Sequence, residues 1–253
     1  MKKLIIGLLC GTILTTGSVD AQSDSSTSSR SLKKLQDEGA VSKSITEEQW
    51  KHIQERDRAE KKEFERTAEQ EWQEQQKQDQ INQENRSRKK KFHLKAGDYF
   101  ITNATSSKGL TGHTAIYYGN GRIKEATGNG KPVRTMGFKK WKNKTLKKRK
   151  GHAKHRFIKV YRAPKKYRGK AARYARFHFN HVPYKITPNP YSKSVTYCSK
   201  LVWQSYFYGA GIHSVKGMHG PIFYPYSLNK HIKSKRVRTY SRAVSYTHLR
   251  AHE

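Results

Sequence analysis

Cysteine is nearly missing from this chain: two occur in 253 residues, Cys10 and Cys198. Cys10 lies in an N-terminal leader, so Cys198 has no partner left and an intrachain disulfide framework is excluded. Acid is scarce as well, but only in one part. Residues 1–85 hold 16 of the 19 Asp and Glu; from Arg86 onward Asp98, Glu125 and Glu253 face 40 Lys and Arg, a formal +37. Long apolar runs are absent too. The stretch LIIGLLCGTILTTG is shorter than the roughly 20 residues a comfortable membrane span needs. No GxxxxGK[ST], GxGxxG or HExxH sequence occurs, so the usual phosphate-loop, dinucleotide and zinc-protease signatures are missing.

The first residues are MKK, then that apolar stretch, then Val19-Asp20-Ala21, a small-x-Ala pattern. Together they read as a secretory signal peptide (1–21) cut after Ala21, which implies a secreted or envelope-associated protein. A retained anchor is the alternative for the same residues. Cys10 is a poor lipidation site, because Leu9 stands where a small residue is wanted.

Residues 22–45 are polar and Ser-rich and read as a disordered linker. Residues 46–90 lack Pro and Gly until the basic RSRKKK stretch and read as a charged helix or weak coiled coil. Thr46 and Gln49 form a capping-box pattern. The large apolar residues Trp50, Ile53, Phe64, Trp72 and Ile81 are spaced irregularly, which predicts a solvated helix and not a packed one. Residues 91–240 read as the globular domain. The tail, 241–253, is set aside, because AVSYTHLRAHE resembles a translated sequencing adapter.

Within the domain, strands are predicted at 99–102, 113–118, 122–127 and 157–163, with a turn at Gly119-Asn120-Gly121. Residues 139–156 read as a charged insertion. Helices are predicted over 167–179 and 198–208, the second closed by Gly209 and Gly211. The expected class is α+β, an antiparallel sheet packed on the cysteine helix.

A thiol at a helix start meets unpaired N–H groups and the positive end of the helix dipole, which favour thiolate. The structural alternative is a buried cysteine acting as a small hydrophobe. A nucleophilic cysteine wants a base, and His113 opens a strand on the same face as Ala115 and Tyr117. The third member depends on the hairpin loop. A three-residue loop pairs Ala115 with Glu125 and puts the carboxylate diagonally across from His113. A two-residue loop pairs Ile116 with Glu125 and turns the acid to the other face. Glu125 could equally be a surface ion pair.

The segments LKAGDYFIT, GHTAIYYGNGRIKEA, YCSKLVWQSYFYGAGI and PYSL, in that order, resemble the permuted papain-like branch of the NlpC/P60 superfamily, the YiiX/YebB-like cysteine hydrolases. The resemblance covers about residues 92–240. It implies Cys198 as nucleophile, His113 as general base and Glu125 as the third member. The family commonly has an apolar residue before EA where this chain has Lys124, which predicts a more polar outer strand face.

Two functions follow. One is an exported cysteine hydrolase cleaving an amide or ester, most simply a peptidoglycan peptide amide, with acyl transfer as the chemical variant. The other is a non-catalytic polyanion-binding protein on the same fold. Expected partners are anionic wall polymer or peptidoglycan, then an acidic membrane surface, with nucleic acid a weaker fit. No cofactor is expected. The pairs His152-x-x-His155 and His178-x-x-His181 could suit a metal but lack accompanying carboxylates or thiols, so no metal is expected either.

Overall fold

The computed structural model describes residues 31–84, 92–107, 110–128, 131–147 and 155–241. The signal-peptide reading, the first part of the linker, the basic hinge and residues 242–253 lie outside the described residues.

Chain order runs α1 (Leu32–Asp37), α2 (Glu47–Glu84), β1 (Tyr99–Ser107), β2 (Leu110–Gly119), β3 (Arg122–Glu125), β4 (Arg134–Gly137) and α3 (Phe138–Leu146). Then come β5 (Phe157–Arg162), α4 (Lys165–His178), α5 (Cys198–Ala210), the short α6 (Leu228–His231) and β6 (Lys235–Ser241). The strands form a six-stranded sheet in the order β4-β3-β2-β1-β5-β6, antiparallel at every pairing. Alternation sorts the side chains to two faces. Tyr99, Ile101, Ile116, Phe157 and Tyr161 join the core that includes Ala171, Ala175, Leu201 and Val202 of α4 and α5. Phe100, Ala115, Ile123, Ile158 and Val160 pack with Trp141 of α3 on the other face.

The hairpin between β2 and β3 combines features of both expected loops. Asn120 and Gly121 have φ of 50° and 69°, the two positive values of a two-residue type I′ turn. Gly119 pairs with Arg122, but the next pair is Tyr117 with Ile123, so Tyr118 is an extra residue in β2. That bulge shifts the register by one. Ile116 therefore faces Lys124, and the same register carries Glu125 to the position across from Ala115. The tight turn alone would have sent Glu125 to the wrong face.

The N-terminal part departs from the linker and free-helix expectation. Residues 31–45 are packed: Leu32, Leu35, Val41 and Ile45 are buried, and Val41 bridges to Ile186. Their apolar residues are few, but these four belong to the main hydrophobic core. The capping box at the start of α2 forms, with Thr46 N–H donating to Gln49 Oε1 and Gln49 N–H donating to Thr46 Oγ1. The helix is not solvated all round. Trp50, Ile53, Asp57, Phe64 and Ala68 are buried on one face. Adding a polar Asp and a small Ala turns an irregular spacing into a 3-4 helical stripe.

Polar contacts lock α2 down. Glu71 pairs with Lys159 and Arg236, Asp79 with Arg238, and Asn103 Nδ2 donates to Glu65. The chain's acid-rich helix thus lies across its acid-poor sheet. Ile53→Ala should cost about 2–5 kcal/mol of unfolding free energy, the usual range for emptying a buried aliphatic site. Urea unfolding measures it, and a change below about 0.5 kcal/mol would mean that α2 stands free of the domain.

Candidate active site

Strand β2 delivers His113. The residue before it, Gly112, has φ +79°, and a Cβ there would sit 2.7 Å from the Tyr226 ring. Only glycine allows the backbone to bend under that ring and present the histidine. One residue earlier, Thr111 donates its backbone N–H and its hydroxyl to Asp57 Oδ2 at 2.6 and 2.7 Å. Asp57 is 1% exposed, and burial raises its pKa to about 6 against the lowering effect of those two bonds. Helix α2 therefore anchors the strand just ahead of the histidine.

Helix α5 delivers Cys198 as its first residue. Tyr197 before it is extended, and no side chain caps the first turn. The first-turn N–H groups are thus left for a ligand oxygen. The helix runs through Gly209 and ends at Gly211. At Gly209 a Cβ would lie 2.7 Å from the Lys170 carbonyl, so that glycine permits the close contact of α5 with α4.

The structure brings Cys198, His113 and Glu125 together, and all three are buried. His113 Nε2 lies 2.6 Å from Glu125 Oε2. The opposite ring nitrogen, Nδ1, has no closed hydrogen bond, and the imidazole and the Cys198 thiol are close enough for each to shift the other's titration. Burial opposes a charged imidazole, but Cys198 and Glu125 outweigh it and raise the His113 pKa. Burial likewise opposes the thiolate, yet His113 and then the backbone N–H and hydroxyl of Thr114 lower the Cys198 pKa. The pair is therefore biased toward thiolate and imidazolium.

Lys200, two residues into α5, donates to the Val195 carbonyl, and burial pulls its pKa down to about 8. The surroundings of the sulfur are phenolic. Its charge is felt by Tyr184, Tyr197 and Tyr226, all buried.

Two contributors escaped the sequence pattern. Arg134 donates through Nε and a terminal nitrogen to Glu125 Oε1 at 2.8 and 2.6 Å. Trp141 Nε1 donates to Glu125 Oε2 at 2.8 Å. Trp141 belongs to the stretch read as a charged insertion, which instead folds in part as α3 against the sheet. A lone tryptophan among lysines was the available signal. Burial raises the Glu125 pKa, but His113 and Arg134 overcome it and hold the carboxyl well below its usual range.

The other candidates fall elsewhere. His178 stacks on Tyr174 with ring centroids 4.0 Å apart, and its Nδ1 faces the Tyr174 carbonyl. Among the described residues no group of three or more His, Cys, Asp or Glu is placed to hold a metal ion. Tyr206, Phe223, Tyr224 and Tyr226 are core residues.

A histidine strand preceding a cysteine helix, on an antiparallel sheet, is the order of a permuted papain-like α+β fold. Residues 71–240 match the family described as lipoprotein N-acylation protein LnsA-like, and the chain belongs to that family. An uncharacterized 30.3 kDa protein of Bacillus thuringiensis is 37% identical over 148 residues, 54% of this chain. That match takes in 53% of the relative, so the chain spans about half the length of the curated relative it matches. A crystal structure titled metalloprotein yiiX, from Escherichia coli O157:H7, is 16% identical, with 59% of this chain and 99% of that chain covered and a TM-score of 0.43.

Because Glu125 has a depressed pKa, its contribution to stability is present above the ordinary carboxyl value of 4.5 and is lost as pH falls below it. Glu125→Gln should lower stability near pH 7 by about 3 kcal/mol, the scale for breaking a buried ion pair. The two proteins should converge as pH falls below that value. Urea unfolding across pH tests this, and a gap that stays constant into acid would show that the carboxylate is not held ionised by its partners.

Proposed function

We propose that this protein carries an acyl group as a thioester on Cys198 and passes it to an amine. The sulfur attacks the carbonyl of an ester or amide donor, forming the S–C bond as the carbonyl π electrons move to oxygen. The free N–H groups at the start of α5 suit that oxyanion. On collapse the bond to the leaving group breaks, and His113 gives that group its proton. An incoming amine then attacks the thioester, His113 takes up its proton, and Cys198 leaves as thiolate. Glu125 orients the imidazole and stabilises its charged form.

The observation that carries this is the coupled Cys198–His113 pair backed by a buried carboxylate. The family's description, lipoprotein N-acylation, favours an amine at a protein N-terminus as the acceptor and a fatty-acyl ester as the donor. Water as acceptor gives hydrolysis by the same first half-reaction. The +37 region favours a wall substrate for that variant, namely a peptidoglycan peptide amide at the cell envelope. The leader sequence supports export. Among the described residues no helix is long and apolar enough to cross a membrane.

Intact-mass spectrometry tests the proposal. Wild type mixed with a fatty-acyl ester should gain one acyl mass on Cys198, discharged by a peptide with a free N-terminus. Cys198→Ala should show no adduct, and His113→Ala should form it at least about a thousandfold more slowly. Cleavage of wall peptides by wild type, with no acyl gain from the ester, would assign the hydrolase variant. No adduct and no cleavage would overturn the enzyme reading and leave the polyanion-binding one.

A further inference from the structure

Lys124 was expected on a polar outer strand face. It is instead 3% exposed. Its Nζ donates to the Arg176 carbonyl at 3.2 Å and to Asn180 Oδ1 at 2.6 Å, and lies 6.0 Å from the centre of the Tyr118 ring. An ammonium has three protons to donate, and these contacts use two. None of these partners is a carboxylate. Buried charges are ordinarily paired, because an uncompensated ion in a low-dielectric site is costly. The carbonyl at the end of α4 supplies only the partial negative charge of a helix C-terminus.

A cavity of about 420 Å³ opens beside this lysine, lined in addition by Lys131, Arg134, Thr135, Asn180 and His181. Among the described residues, Arg134 alone of its cations has an acid partner, Glu125, and that pair leaves the guanidinium side chain 35% exposed. We infer that this cavity binds a compact oxyanion, a phosphate or carboxylate group, whose charge compensates Lys124 and whose oxygens take its remaining proton and the side chains of Lys131 and Arg134. Burial lowers the Lys124 pKa, the direction expected of an ammonium short of a counter-ion. Through Arg134 the site adjoins the carboxylate that orients His113. It stands on its own observations and does not require the acyl-transfer proposal.

Binding is measured on the full chain carrying Cys198→Ala, so that no turnover intervenes. Inorganic phosphate, glycerol 3-phosphate and acetate are titrated at about 0.3 M salt, where the diffuse field of the basic surface is screened. The Asn180 side-chain amide resonance reports occupancy. Saturable binding that moves this resonance supports the site. Tighter glycerol 3-phosphate points to a headgroup, equal phosphates to a free oxyanion, and tighter acetate to a carboxylate.

Lys124→Met should weaken binding at least tenfold. Lys131→Ala, at an exposed position, should weaken it several-fold and decides the matter if the first variant does not fold. Lys235→Ala, on β6 at the opposite edge of the sheet, should bind as the parent does. No saturable phase with any probe, or equal binding in the Lys124 and Lys131 variants, overturns the inference. A lysine that merely caps α4 would lose stability on substitution and leave binding unchanged.

Discussion

The carboxylate of Glu125 takes hydrogen bonds from His113, Arg134 and Trp141, supplied by β2, β4 and α3. Three elements meet on one buried acid in a region almost devoid of acids. An ionised carboxyl at 2% exposure survives only because each oxygen is paired. In return it fixes which imidazole nitrogen is engaged, and so leaves the other to address the sulfur. The register of β2 and β3 and the docking of α3 serve this one group.

Charge distribution gives the rest of the fold its logic. A sheet and helices with a formal +37 would repel themselves if left alone. Helix α2 brings Glu65, Glu71 and Asp79 to Asn103, Lys159, Arg236 and Arg238, and places Asp57 under the strand that carries the histidine. The geometry of the candidate site and the N-terminal helix are therefore coupled. The helix is part of the frame of that site, and its Asp57 ties down the strand beside the bend at Gly112.

Legibility in the sequence followed the range of the interactions. Cys198 at a helix start and His113 on a strand are readable from short patterns, although β2 begins at Leu110 and not at the histidine. Glu125 stood out by scarcity, but its facing hung on a loop whose length and bulge act in opposite directions. A count of loop residues cannot separate a three-residue loop from a two-residue turn with Tyr118 extruded. Arg134 and Trp141 were illegible because their contacts depend on where a lysine-rich stretch folds back. The packing of α2 was hidden because its stripe uses Asp57 and Ala68, residues that a search for large apolar side chains passes over. Lys124 was placed on the correct strand but assigned to solvent, since the position of α4 beside it is a tertiary fact.

All of this meets at the contact between sulfur and imidazole. The direct measurement is the rate of Cys198 alkylation by iodoacetamide as a function of pH, in wild type and in His113→Ala. A coupled pair predicts rapid modification persisting well below the ordinary thiol pKa of about 8.5, with the profile moving up toward or past that value once the imidazole is removed. A wild-type profile that tracks free cysteine and is unmoved by loss of His113 would contradict the account.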